Sequence, residues 1–294
     1  MRPALLSVFV VLLCACTSAA GSGTLQVTAC GELAATEGYP TSAGLGFVDG
    51  WSLTIDRVIV SLDLFAISHQ GVAVPLEADH VLVNLHGGEQ TVWRFPAIPA
   101  QRYEQVGYRI IPAATGARHI GVVTAADEAR MVTDHLAVLF QGTARHATHG
   151  DYMFDMGLPI EIHLSSCING VDMSDGLVVT PNGMTHAQMT FHLDHFFLDG
   201  LLDPNAAIHF EAYAATGGTA RHVTYEGLEM QHLADLRDID GSPLLDASGQ
   251  LLFYDPGSVA LPTGSLRNFV FHQASTIGHL NGEGHCGYYV VNGL

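Results

Sequence analysis

The sequence predicts a mainly β protein: a β-sandwich-like domain with a helical C-terminal section packed on it. Three observations carry this. Segments such as "TLQVTAC" (24–30) and "WSLTIDRVIVSLDLFAIS" (51–68) alternate apolar and polar residues, the period of half-buried strands. Similar segments follow through residue 197, separated by Gly, Pro, Asn and Asp turn signals. After Phe197 the apolar spacing becomes helical.

Taken in order, the chain opens as a signal peptide over residues 1–15. Arg2 is the lone basic residue, the apolar run Pro3–Leu13 is too short to span a bilayer, and small residues follow. "LCAC" (13–16) resembles the bacterial lipoprotein box, which implies that Cys16 becomes the lipidated first residue of the mature chain and joins it to a membrane. Thr17 stands where Asp would retain such a protein at the inner membrane, so the resemblance implies a cell-envelope, outer-membrane location. Plain secretion, with Cys14 and Cys16 removed, is the alternative. Residues 16–24, rich in small and polar residues, read as a flexible tether.

Residues 25–294 read as a single β-rich domain with helices mainly in 205–280. Further strands are expected in "HVLVNL" (80–85), "QVGYRIIPA" (105–113), "HLAVLFQGTARH" (135–146), "FDMGLPIEIHLSSC" (154–167) and "MTHAQMTFHLDHFF" (184–197). Residues 125–134 interrupt them with helical spacing. Helices are expected in "NAAIHFEAYAA" (205–215), "TYEGLEMQHLADL" (224–236) and "SLRNFVFHQASTIGHL" (265–280), the last with Ser265 as N-cap. "CGYYVV" (286–291) closes the chain as a strand.

The charge balance narrows the function. The chain has no lysine; eleven arginines face 29 acidic residues, for a formal net charge of −18, and 17 histidines add neutral nitrogen donors. Such a surface repels phosphate backbones, which excludes nucleic acid as a partner, and it attracts cations. Cysteines are few beyond the lipoprotein box: Cys30, Cys167 and Cys286. An exported chain oxidises what it can, so one disulfide and one thiol are expected. Cys167–Cys286 is favoured because both lie beside glycine-bearing turns, with Cys30–Cys286 as the competitor.

Two stretches concentrate metal-ligand types. "HLDH" (192–195) follows a predicted strand and precedes turn signals. If the strand ends there, residues three apart come together in a helical turn, and His192 and His195 converge with Asp194 as ligand or as partner to an imidazole. In "FHQASTIGHLNGEGHC" (271–286), His272 and His279 are seven apart, as on one helix face, while Gly278 and Gly282 allow turns that return Glu283 and His285 to it. His285 is the weaker member, because the adjacent Cys286 is a disulfide candidate. Imidazoles plus a carboxylate are the donor set of zinc or copper(II). Glu32 is a candidate oxygen ligand; Asp49 reads as a turn residue ahead of Trp51, and His146 and His149 as an exposed loop. No nucleophile elbow, H-E-x-x-H helix or phosphate-binding loop is present. A binding protein is therefore expected ahead of an enzyme.

The segments "GE" (31–32), "DGW" (49–51), "HLDHFF" (192–197) and "GHLNGEGHC" (278–286) together resemble a family of uncharacterised lipoproteins of myxobacteria and related bacteria. Its members open a strand with D-G-W, carry an H-G-D-H-L-F element and end in G-H…G-E-G-x-C. The resemblance implies site positions at His192, Asp194, His195, His279 and Glu283, with Glu32 beside them, and a Cys167–Cys286 disulfide. It implies no activity. The acidic D-x-D-x-D-G-like loop of that family is missing here: residues 214–228 keep only Glu226, too few oxygens for calcium. The acids at 235–246 read as a turn. The expectation is an outer-membrane-anchored lipoprotein that binds zinc or copper through His192, His195 and His279, completed by Asp194, Glu283 or Glu32. A metal transporter or receptor would be its partner; a metal-dependent enzyme or a structural, adhesive module are the alternatives.

Overall fold

The computed structural model describes residues 21–201, 203–246 and 248–291. The signal peptide and Cys16 lie outside the described residues. The strands of the two main sheets are β1 (Ser22–Cys30), β2 (Ser52–His69), β3 (Val72–Ala73), β4 (Val81–Asn84), β5 (Gln90–Pro99), β6 (Gln105–Ile110), β7 (Arg118–Ile120), β8 (Val138–His146) and β9 (Gly150–Leu158). They continue with β10 (Ile162–Ser165), β11 (Met184–Phe191), β12 (His222–Thr224), β13 (Gly278–Leu280), β14 (Gly284–His285) and β15 (Gly287–Val290). β1 begins at Ser22, inside the segment expected as tether.

Two sheets share one core. The smaller runs β14-β13-β11-β1-β5, and the larger runs β12-β9-β8-β2-β6-β10-β15, with β3 and β4 on β2 and β7 on β4. β1 and β11 are parallel, an arrangement that requires a long connection between them; the rest of the smaller sheet is antiparallel. Inward residues of the smaller sheet (Leu25, Val27, Met189, Phe191) meet those of the larger (Val58, Phe65, Tyr108, Phe140) in one buried cluster. Tyr108 and Phe191 make the contact edge to face, with centroids 6.2 Å apart. The apolar run Val58–Val60 lacks alternation for a physical reason: Ile59 points to a second cluster on the other face, with Leu82, Met131 and Leu139.

Helix α1 (Glu32–Glu37) follows β1 directly. Helix α2 (Ala125–Thr133) lies within the predicted helical segment and starts on a Thr124–Asp127 capping box; Asp127 also pairs with Arg57. Helix α3 (Glu211–Thr216) is shorter than the 205–215 segment expected, because Ile208 bridges to Leu198 in extended form. Helix α4 (Leu266–Ala274) has the expected N-cap, Ser265 accepting from the Asn268 N–H at 3.2 Å.

Two helical expectations are corrected. Of residues 224–236, only Glu226–Met230 forms a turn of 3-10 helix. The Gln231 side chain then brackets the Arg237 backbone, accepting from its N–H and donating to its C=O, and this closes a loop in place of a helix. The helix expected through Leu280 stops at Ala274. Ser275 Oγ donates to the His272 carbonyl and Thr276 Oγ1 to that of Gln273, which satisfies the terminal acceptors and lets the chain leave as β13. His279 is therefore a strand residue, and His272 is left behind on the helix.

Candidate metal centre

The cluster sits where β1 and β11 end, against β13. Strand register builds it. Cys30 pairs with Thr190 and Thr190 with His279; His279 in turn pairs with His285, so these four residues form a row on one face of the sheet. His192, two residues beyond Thr190, continues that face, and its N–H donates to the Ile277 carbonyl at 2.9 Å. The chain then enters a 3-10 turn, Leu193–Phe196, with His192 as its N-cap, which turns His195 back toward His192. Phe191, Phe196 and Phe197 are fully buried and fix this segment to the core.

The three imidazoles expected to converge do so. Ring centroids are 4.2 Å apart for His192–His279, 5.4 Å for His192–His195 and 5.6 Å for His195–His279. His285 joins them, 4.8 Å from His279. His285, the weaker member in the sequence because Cys286 adjoins it, is placed opposite His279 by the two-strand hairpin. His272 does not join; its ring lies against Phe271.

Two glycines make the hairpin possible. A Cβ on Gly278 would lie 2.6 Å from the Tyr108 hydroxyl, and Gly282, at φ +82°, takes the turn that returns Glu283 and His285. The Tyr108 hydroxyl donates to the His279 carbonyl at 3.0 Å, which fixes this strand. Glu32 enters from the β1–α1 junction, in left-handed conformation at φ 55°, with its N–H directed at Cys30 Sγ.

The hydrogen bonds leave ring nitrogens bare. Thr276 Oγ1 gives its proton to Gln273, so at 2.8 Å it accepts from His195 Nδ1–H, and His195 Nε2 is left as an electron-pair donor. His192 Nδ1 faces Glu32 Oε2 at 3.4 Å, while its Nε2 is buried without a hydrogen-bond partner in the protein, 4.0 Å from Glu283 Oε2. His279 Nδ1 is likewise buried and unpartnered. Donor atoms fall into two groups in which all lie within 4.8 Å of one another: His192, Asp194 and His195; and His192, His279 and Glu283. Thr276 is the partner that the sequence reading missed; a hydroxyl at a helix end is too common to signal a role.

The electrostatics favour neutral imidazoles at His279 and His195. His279 is pushed down to about 3, first by burial and then by His192, His195 and His285. Burial also lowers His195, against the opposing pull of Asp194. Burial raises the Glu32 carboxyl; His192 opposes this, while the charges of Glu283 and Asp194 add to it. Neutral rings and carboxylates around a shared centre are what a cation needs.

No family model, curated protein or solved structure matches this chain.

The remaining features divide clearly. Cys167 and Cys286 form a disulfide, and Cys30 is a thiol. Asp49 lies away from the cluster: its Oδ2 accepts the Phe210 and Glu211 N–H groups at 2.6 and 2.8 Å, where α3 begins. His146 and His149 stack on each other beside Trp51, in the β8–β9 hairpin. Among the described residues no helix is long and apolar enough to cross a membrane.

Proposed function

We propose that this protein binds a transition-metal ion, zinc or copper, through His192, His195 and His279, with Glu32, Asp194 and Glu283 supplying charge and oxygen donors. One observation carries the reading: two imidazole nitrogens, His192 Nε2 and His279 Nδ1, are buried without a partner beside three carboxylates. A buried polar atom left unpaired costs about 1–3 kcal/mol, and a coordinated ion removes that cost. The acidic, lysine-free surface draws cations toward the cluster. Attachment through Cys16 to the outer membrane would place the site in the cell envelope, with a metal transporter or receptor as the natural recipient.

The test is metal analysis of the purified chain beside His192→Ala and His279→Ala. The reading expects bound zinc or copper in the parent chain and a reduced metal content in both variants. Full metal content in both variants, or a melting temperature unmoved by added zinc or copper, refutes it.

A second reading, a metal-dependent enzyme, is favoured by one feature. A cavity of about 460 Å³ adjoins the cluster, walled by His195, His279, His285, Leu198, Pro204 and Tyr288. An ion with a coordination position open to that cavity would hold a water molecule. X-ray absorption on the loaded protein separates the two: a closed shell of protein ligands supports binding alone, and a bound water supports catalysis.

A further inference from the structure

Resting on the metal-binding reading above, we propose that the cluster is a two-ion site that shares His192. An inner cation is held by His192, Asp194 and His195, and an outer cation by His192, His279 and Glu283.

The geometry divides the donors in this way. Each triad has its donor atoms within 4.8 Å of one another, whereas among the described residues no such group unites His195 with His279. These two rings form the widest of the three pairs, with centroids 5.6 Å apart. His192 belongs to both triads, and its two nitrogens face different carboxylates: Glu32 from Nδ1 at 3.4 Å and Glu283 from Nε2 at 4.0 Å. An imidazole that offers both nitrogens can bridge two ions, each from its own side of the ring.

Charge points the same way. Glu32, Asp194 and Glu283 bring three negative charges, and among the described residues none of the three pairs with an arginine. One dication leaves that set negative. When both nitrogens of His192 bind metal, the ring gives up its remaining N–H proton to solvent and adds a fourth negative charge. Two dications then match four negative charges.

The two positions differ in access. Glu283 is 77% exposed, so the outer triad opens to solvent. The inner triad combines a buried His192 with half-buried Asp194 and His195. The outer position would load first from solution, and the shared ring would couple it to the inner one.

The experiment loads the full-length chain with zinc chloride, removes loosely held ion with a weak chelator, and counts zinc per chain. Glu283→Gln and Asp194→Asn are measured alongside, with thermal melts to verify folding. Neither substitution touches a fully buried residue. Two zinc ions in the parent chain and one in each variant are expected. One ion in the parent chain overturns the two-ion site and leaves the metal-binding reading standing. None overturns both. Two ions in the parent chain with any count other than one in a folded variant overturns the assignment of triads. Copper(II) provides a second readout: a shared ring couples the two spins, so resonance intensity falls well below two spins per chain. Full two-spin intensity rules out the bridge.

Discussion

His192 and His279 meet ring to ring, with centroids 4.2 Å apart, and each keeps a buried nitrogen that no group in the protein satisfies. Folding brings them together from the end of β11 and the middle of β13, at the cost of hydration lost by both rings. Replacing His279 with leucine removes one unpaired nitrogen and puts apolar surface in a buried place. The expected result is a metal-free protein more stable by about 1–2 kcal/mol. It should also lose the outer ion's share of the metal-linked gain, about 4 kcal/mol for one ion at a thousandfold excess over Kd. Melts with and without zinc check both halves. A variant that is destabilised without metal yet keeps the full zinc shift refutes the argument.

The depressed His279 ring makes stability depend on pH. Above its ordinary value of 6.5 the ring is neutral whether the chain is folded or unfolded, so it contributes no slope. Between 6.5 and about 3 the unfolded chain takes up a proton that the buried ring refuses. The unfolded state then binds more protons, and stability falls as the pH falls. His195, lowered by burial, acts in the same direction. Denaturant melts of the metal-free protein from pH 7 to pH 4 should show this decline, and His279→Leu should flatten it. An unchanged slope in the variant assigns the acid sensitivity elsewhere.

Much of this arrangement is legible in the sequence, for reasons that differ by residue. Alternation in β1, β2 and β11 specifies a mainly β fold, because a half-buried strand imposes a period of two. His192, Asp194 and His195 are near in sequence, so a single tight turn after β11 suffices to gather them. His279 was harder. Its segment has helical spacing, and nothing in that spacing reveals that Ser275 and Thr276 terminate α4 with their hydroxyls. The parallel pairing of β1 with β11, which delivers Glu32, joins segments far apart in the chain, and local pattern carries no information about such a pairing.

Cys30 tests whether nearness alone makes a ligand. It lies in the same cross-strand row as His279, but burial raises its thiol, and the charges of Glu89 and Glu32 add to this. A thiol held protonated is a poor ligand and a poor nucleophile. Cys30→Ser should retain the full metal content, and alkylation of the folded chain at neutral pH should be slower than that of a free cysteine. Loss of metal in Cys30→Ser would move sulfur into the site.

Asp49 separates structural acids from those of the candidate site. Its Oδ2 accepts two backbone N–H groups at the start of α3, and Trp51, two residues later, donates to Glu211 Oε2 at 2.8 Å in the same helix. Asp49→Ala leaves both N–H groups without that acceptor, which costs about 1–2 kcal/mol. Metal content should stay at the parent level, since Asp49 belongs to neither donor triad. A metal-depleted Asp49→Ala protein that still folds would contradict the placement of the site.

The disulfide gives the last prediction. Cys286 directly follows His285 in the hairpin that bears His279 and Glu283, and it is bonded to Cys167, which is fully buried beside β10. The same hairpin is held by Asn281, whose side chain donates to Asn169 Oδ1 at 3.0 Å and accepts from the Gln188 N–H at 2.8 Å. Reduction by a dithiol leaves those bonds in place and frees one end of the hairpin. The global cost should be about 2–5 kcal/mol, the usual loss for a native disulfide. Ligand positioning should suffer as well, because Glu283 and His285 are no longer tethered at Cys286, and zinc affinity should fall about 10–100-fold. Titrating zinc into oxidised chain and into a Cys167→Ser, Cys286→Ser variant isolates this effect, since the variant cannot offer a new thiolate to the ion. Equal affinity in the two would mean that strand pairing and the Asn281 bonds alone hold the ligands, and that the disulfide serves stability only.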